Sequence, residues 1–197
     1  SVEQGAKATV TIKGNTITNS TASDNGGAIA IGTYVETKIP KQKPGEPPVP
    51  KETPSKVTMS GNKISDSGLI MWKGGAGGAV FVGKGSTVTM SGDEVKDTKA
   101  PYGGGVYNEG NLNISGKASL TGGIALSLGG EIYNNGDLTV DNATITGNFV
   151  GPANWNQTPG HEKKYEHGGT NIYAEKDVTI TPKANITTGK KDVRVLD

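Results

Sequence analysis

Gly103-Gly104-Gly105-Val106-Tyr107-Asn108-Glu109-Gly110-Asn111-Leu112-Asn113-Ile114-Ser115-Gly116 is followed by Gly129-Gly130-Glu131-Ile132-Tyr133-Asn134-Asn135-Gly136-Asp137-Leu138-Thr139-Val140-Asp141-Asn142. Both runs hold paired glycines, a short apolar-aromatic strand, an Asn-containing turn and a second alternating strand. The pattern returns after roughly 25 residues, a period that belongs to solenoids and arrays. The stretch from Gly103 to Asn148 therefore decides the fold, and the same pattern can be followed outward along nearly the whole chain.

Six alternating triplets line up: Val10-Thr11-Ile12, Val57-Thr58-Met59, Val88-Thr89-Met90, Leu112-Asn113-Ile114, Leu138-Thr139-Val140 and Val178-Thr179-Ile180. Period-2 alternation sends the two apolar residues of each to one face and the central Thr or Asn to the other. A second apolar position follows at Ile17, Ile64, Val95, Leu120, Ile145 and Ile186. A third lies in the Gly-Gly strand at Ile29, Val80, Val106, Ile132 and Ile172. Gly61-Asn62, Gly92-Asp93 and Gly116-Lys117 supply corners that tolerate left-handed backbone. Helices do not explain this pattern, because β-branched residues dominate the strands and glycines break every longer window. The expected fold is all-β: a right-handed parallel β-helix (solenoid) of about six coils, each of three short strands, with protruding loop insertions. The rival is an antiparallel sandwich, which leaves the in-register repeat without a cause.

The 197 residues read as one domain, 1–197, cut from a longer repeat protein. The corner loops Ile17–Gly26, Asp66–Gly77, Asp97–Gly103, Thr121–Ser127 and the long loop 147–167 are expected along one edge. Another corner carries a Pro-rich insertion, 33–56, expected to be extended and polyproline-like. The net charge of +1 gives no electrostatic case for nucleic acid or an anionic membrane. With no cysteine there are no disulfides or thiolate metal sites. No apolar run approaches the length of a spanning helix, so no membrane insertion is expected. The C-terminal Lys190–Asp197 alternates like the start of another strand.

Few residues suggest chemistry. Asp93, Glu94 and Asp97 neighbour Lys96 and Lys99, but no other coil adds a matching carboxylate, and they read as a solvated turn. His161 and His167 sit beside Glu162 and Glu166 in a spacing that fits no structural zinc pattern, so neither metal nor cofactor is expected. Gly74-Gly75-Ala76-Gly77-Gly78 lacks the Lys-Ser/Thr of a phosphate loop. Phe81, Tyr107, Tyr133 and Tyr173 occupy equivalent positions and should stack in a column, outward as an aromatic strip or inward as a core stack. Asn108 and Asn134 should form a hydrogen-bonded ladder. The Thr column (Thr11, Thr58, Thr89, Thr139, Thr179) reads as a solvated sheet face. Trp72, Tyr102, Trp155 and Tyr165 fall in variable loops and are the candidate ligand-binding residues, with Asn154, Asn156 and Gln157 as hydrogen-bonding neighbours.

Gly26-Gly27-Ala28-Ile29, Gly77-Gly78-Ala79-Val80 and the two runs quoted first resemble the Gly-Gly-Ala-Ile repeats of polymorphic outer-membrane proteins. More broadly they look like autotransporter passengers and bacterial surface adhesins. The Phe-x-x-Asn element of those families is degenerate here (Ile145-Thr146-Gly147-Asn148), and their cysteines are missing. The resemblance implies a secreted or surface-displayed bacterial module with an adhesive role toward a host protein or glycan, and it transfers no catalytic residue. The alternative is a carbohydrate-binding or carbohydrate-cleaving β-helix of the polysaccharide lyase or hydrolase kind.

Overall fold

The computed structural model describes residues 9–32, 55–69, 75–149, 171–186 and 193–195. Those residues form strands and turns and no helix. The triplets build the first sheet: Thr9–Lys13, Lys56–Ser60, Thr87–Ser91, Asn111–Ser115, Asp137–Val140 and Val178–Ile180, stacked in chain order. The Gly-Gly strands build another: Ile29–Ile31, Val80–Val82, Val106–Asn108, Ile132–Asn134, Ile172–Ala174 and Val193–Val195, also in chain order. Between them lies a sheet begun by Thr16–Thr18, Lys63–Ser65, Glu94–Lys96 and Ser119–Leu128 and continued by Thr144–Phe149 and Asn185–Ile186. Each repeat thus gives one tier, with a strand in every sheet. Among the described residues every strand pairing is parallel, which excludes the antiparallel sandwich for them.

Register follows the repeat residue by residue. Val57 pairs with Val88, Val88 with Leu112, Leu112 with Leu138 and Leu138 with Val178. Because side chains alternate faces, in-register pairing puts all the apolar members on one side. Val57, Met59, Ile64, Val80, Val95, Leu112 and Ile132, drawn from all three sheets, belong to one buried cluster. Full burial of each such side chain contributes about 1.5–3 kcal/mol. The Thr column lies on the opposite, wetter face: Thr11, Thr58 and Thr179 are exposed, and Thr89 and Thr139 half-buried.

The corner segments depart from the expected loops. Asp97–Gly103 contains the strand Lys99–Tyr102, and Thr121–Ser127 lies inside the ten-residue strand Ser119–Leu128. Thr21–Ala22 and Gly68–Leu69 pair in the same row. The middle sheet is therefore bent rather than ended. Asn19, Asp66, Asp97 and Gly122 take positive φ at the bend, and the chain resumes extended backbone beyond it, with Leu69, Ala100 and Ala125 buried. The Pro-rich insertion also ends earlier than its boundary at Lys56, which opens a first-sheet strand, while 33–54 lies outside the described residues. Val193–Val195 is the strand anticipated in the C-terminal segment, paired with Ile172–Ala174.

The second glycine of each Gly-Gly pair (Gly27, Gly78, Gly104) packs tightly against the next tier and against the middle sheet. A Cβ on Gly104 would lie 2.3 Å from both the Gly130 carbonyl oxygen and the Ile124 nitrogen, and one on Gly78 would lie 2.0 Å from the Gly104 oxygen. Gly104→Ala should therefore cost more than the removal of a core side chain and prevent cooperative folding. Leu112→Ala should cost about 2–5 kcal/mol, whereas Thr58→Ala should stay within about 0.5 kcal/mol. Urea unfolding followed by circular dichroism measures all three.

Candidate functional site

The third sheet carries the aromatic column on the face away from the core, since Phe81 alternates with the core residues Val80 and Val82. Register pairs Phe81 with Tyr107, Tyr107 with Tyr133 and Tyr133 with Tyr173. The rings stack at centroid separations of 5.5, 4.8 and 5.5 Å, with interplanar angles of 9°, 2° and 21°. Tyr102 meets Tyr133 edge-on at 5.7 Å and 74°. Of the two orientations open to the sequence, the outward one is found, yet the ring faces are taken up by one another. Each ring pair adds about 0.5–1.5 kcal/mol beyond its area burial, so the column stiffens the stack.

Its hydroxyls end on carboxylates. Tyr107 donates to Glu109 Oε1 at 3.1 Å, and Tyr133 donates to Glu175 Oε1. Burial raises both phenols well above their ordinary range, and the neighbouring carboxylates raise them further. They are neutral donors at physiological pH.

Glu109 also borders a polar groove of about 290 Å³ between the third sheet and the first. Ser86, Thr87, Asn111, Asp137 and Lys176 line it with Gly85, Gly110 and Gly136. Glycine is required on this wall: a Cβ on Gly136 would come 2.1 Å from the Gly110 oxygen, and one on Gly110 2.4 Å from the Ser86 oxygen. The groove offers an amide, hydroxyls, two carboxylates and an ammonium, a set suited to hydrogen-bonding a polar ligand.

Two polar threads run along the stack. Asn108 Nδ2 donates to Asn134 Oδ1 at 2.6 Å, and Asn134 Nδ2 donates to the Gly136 carbonyl, both residues being buried; this is the expected ladder. The second thread joins the first and middle sheets. Asn15 Nδ2 donates to Asn62 Oδ1 at 3.0 Å, and Asn62 Nδ2 donates to Asp93 Oδ1 at 2.7 Å. Asp93 is therefore not the solvated turn residue expected of it. It is buried, and burial raises its pKa against the pull of Asn62 and of the backbone amide of Ser91. Its neighbours Glu94 and Asp97 do stay on the wet side, in exposed ion pairs with Lys63 and Lys96.

Glu131 was not singled out by sequence reasoning. It is 0 % exposed at the position filled by Ala28, Ala79 and Gly105 in other tiers. Its Oε2 accepts the Gly123 amide at 2.7 Å, while Oε1 is buried without a partner. One tier on, Asn171 Oδ1 accepts the equivalent Gly147 amide. A Cβ on Gly105 would lie 1.9 Å from Glu131 Oε1, so the side chain occupies the space that a glycine leaves. Burial, with the Asp97 charge adding to it, pushes the pKa up to about 8. The signal available in the sequence was the acid breaking the Gly-Gly-Ala pattern.

Of the four candidate ligand-binding residues, Tyr102 stands half-buried against the aromatic column. Trp72, Trp155 and Tyr165 lie outside the described residues, as do His161, His167 and their glutamates, Asn154, Asn156, Gln157 and Gly74. Among the described residues, no three His, Cys, Asp or Glu side chains gather where a metal ion could bind, and no helix is long and apolar enough to cross a membrane. Compared with family models, with curated proteins and with solved structures, the chain finds no match in any of the three.

Glu131 sets a pH dependence. Between about pH 4.5 and 8 the unfolded chain releases a proton that the folded chain keeps, so stability falls as pH rises through that window and levels off above it. Glu131→Gln keeps an acceptor for the Gly123 amide and removes the ionisation. Its melting temperature should exceed that of the parent at pH 8 and converge with it toward pH 4, as differential scanning calorimetry across the pH range would measure.

Proposed function

We propose that this chain is a right-handed parallel β-helix from a bacterial surface or secreted protein, acting without catalysis as a stalk or adhesive module. The observation that carries this reading is the in-register stack around one core, with side chains of the three sheets meeting in a single cluster. Right-handed winding is the hand that parallel crossovers take almost without exception. A stack whose apolar columns, ring column and amide threads all run along one axis resists bending, which is what a spacer displayed from a surface requires. The likeness of its Gly-Gly-Ala-Ile elements to surface adhesin repeats supports the same placement outside the cell.

In this reading, recognition of a host protein or glycan belongs to the loop edge that holds Trp72, Tyr102, Trp155 and Tyr165. Tyr102 ties that edge to the rigid column through its contact with Tyr133. A second reading, glycan binding along the stack, draws on the polar groove of Ser86, Thr87, Asn111 and Asp137. The two are separated by a glycan array and a host-cell adhesion assay on paired variants. Trp72→Ala with Trp155→Ala should lower adhesion about tenfold or more while leaving the unfolding curve unchanged. Asn111→Ala with Asp137→Ala should leave adhesion intact. Loss confined to the groove variant would move the function to the groove, and loss in neither would leave a spacer that binds nothing.

A further inference from the structure

The polar groove owes its shape to unequal turns. Between the third sheet and the first, the chain spends four residues at 83–86 but only two at 109–110 and at 135–136. The longer turn brings Gly85 and Ser86 to one end of the groove. Gly110 and Gly136 form its floor, where a Cβ would strike the backbone of the turn before. At the other end stands Lys176, in the place that glycine holds in the two preceding turns. The recess thus spans the two glycine turns, about 10 Å along the stack at the usual strand spacing. Paired strands flank every turn involved, so the groove belongs to the middle of the stack.

Its chemistry is uneven too. Among the described residues that line it there is no aliphatic or aromatic side chain, so it suits a ligand that offers hydrogen-bonding groups rather than an apolar face. Glu109 and Asp137 are set against one ammonium, Lys176, which leaves a negative charge in excess among those residues. None of the three is in an ion pair among the described residues, and the side chains of Asn111 and Asp137 make no hydrogen bond there. Tyr107 takes up Glu109 Oε1 and leaves Oε2. We infer that the groove binds an amine-bearing saccharide, a hexosamine unit whose ammonium meets the acidic wall of Glu109 and Asp137 while its hydroxyls bond Thr87 and Asn111. This rests on the second reading above, that a glycan lies along the stack, and adds which glycan it is. A uronate would set a further carboxylate beside two that already lack a cation. An N-acetylated sugar keeps the hydroxyl contacts but has no charge to offer. Exposed ion pairs are weak, so the preference for the free amine is about fivefold, and salt screens it.

Nuclear magnetic resonance titration of the full chain tests it, with the backbone amides of Gly110, Asn111, Gly136 and Asp137 as reporters. The probes are the glucosamine disaccharide, its diacetylated form and a glucuronate disaccharide. The first should move those amides and bind about fivefold more tightly than the second, an advantage that disappears in high salt, and the third should leave them still. Glu109→Gln with Asp137→Asn keeps the shapes and the acceptor for Tyr107 while removing both charges. That variant should bind the amine and acetylated forms equally, its circular dichroism matching the parent's. Equal or tighter binding of the acetylated or uronate probe to the parent overturns the inference and leaves a glycan in the groove. Amides that stay still with all three probes overturn the inference and the glycan reading together. A preference that survives in the double variant overturns the inference as well, since the carboxylates would not be its cause.

Discussion

One constraint governs this molecule: a parallel strand pairs with its neighbour in a register that places each side chain on its counterpart one tier away. In a hairpin protein, neighbours along a sheet differ and the core is solved once, locally. Here Val88, Leu112 and Leu138 must fit above one another, and so must Phe81, Tyr107, Tyr133 and Tyr173. A column has to be filled with residues that tolerate their own kind as neighbours. Branched aliphatics, stacked rings and amides meet that demand, and unpaired charges do not.

The inward column beside each Gly-Gly pair shows what happens where the demand is relaxed. Small residues hold it in three tiers, Ala28, Ala79 and Gly105, and the last of them leaves the space that Glu131 fills. The next two tiers carry Glu131 and Asn171, each used to satisfy a glycine amide at the bend of the middle sheet. Asn171 does so with a neutral side chain. Glu131 does it with a carboxyl that loses its hydration and leaves one oxygen without a partner. An unsatisfied buried oxygen costs about 1–3 kcal/mol, so the tier is held by the apolar columns on either side of it.

The core was legible from sequence because its determinant is period 2 combined with a fixed repeat. Val10 to Ile180 in the first sheet and Ile29 to Ile172 in the third share one pattern tier after tier, and that pattern carries the register. The Asn108–Asn134 ladder was legible for the same reason. What stayed hidden has physical causes. The bent middle sheet looked like loops because Asp66, Asp97 and Gly122 interrupt the alternation with positive φ, and the strands beyond them are only a few residues long. Asp93 looked solvated because charge was read without its column, in which Asn15 and Asn62 precede it. Glu131 was hidden by the strength of the repeat around it. Of the candidate binding edge, Tyr102 is placed against the ring column, a contact that spacing along the chain does not encode.

The amide thread between the first and middle sheets also has a direction. Asn15 donates a hydrogen bond to Asn62 and Asn62 donates one to Asp93, a residue that accepts hydrogen bonds and donates none while ionised. Beyond it the same position is held by Ala118, Ala143 and Ala184, whose methyls ask for nothing. The modules of this protein are therefore not interchangeable, however alike they read. Moving the third among the last three would strand one amide without its acceptor and set a carboxylate against bare hydrocarbon. On the alanine side the neighbours make no chemical demand, so a module added or removed there would leave the polar thread intact.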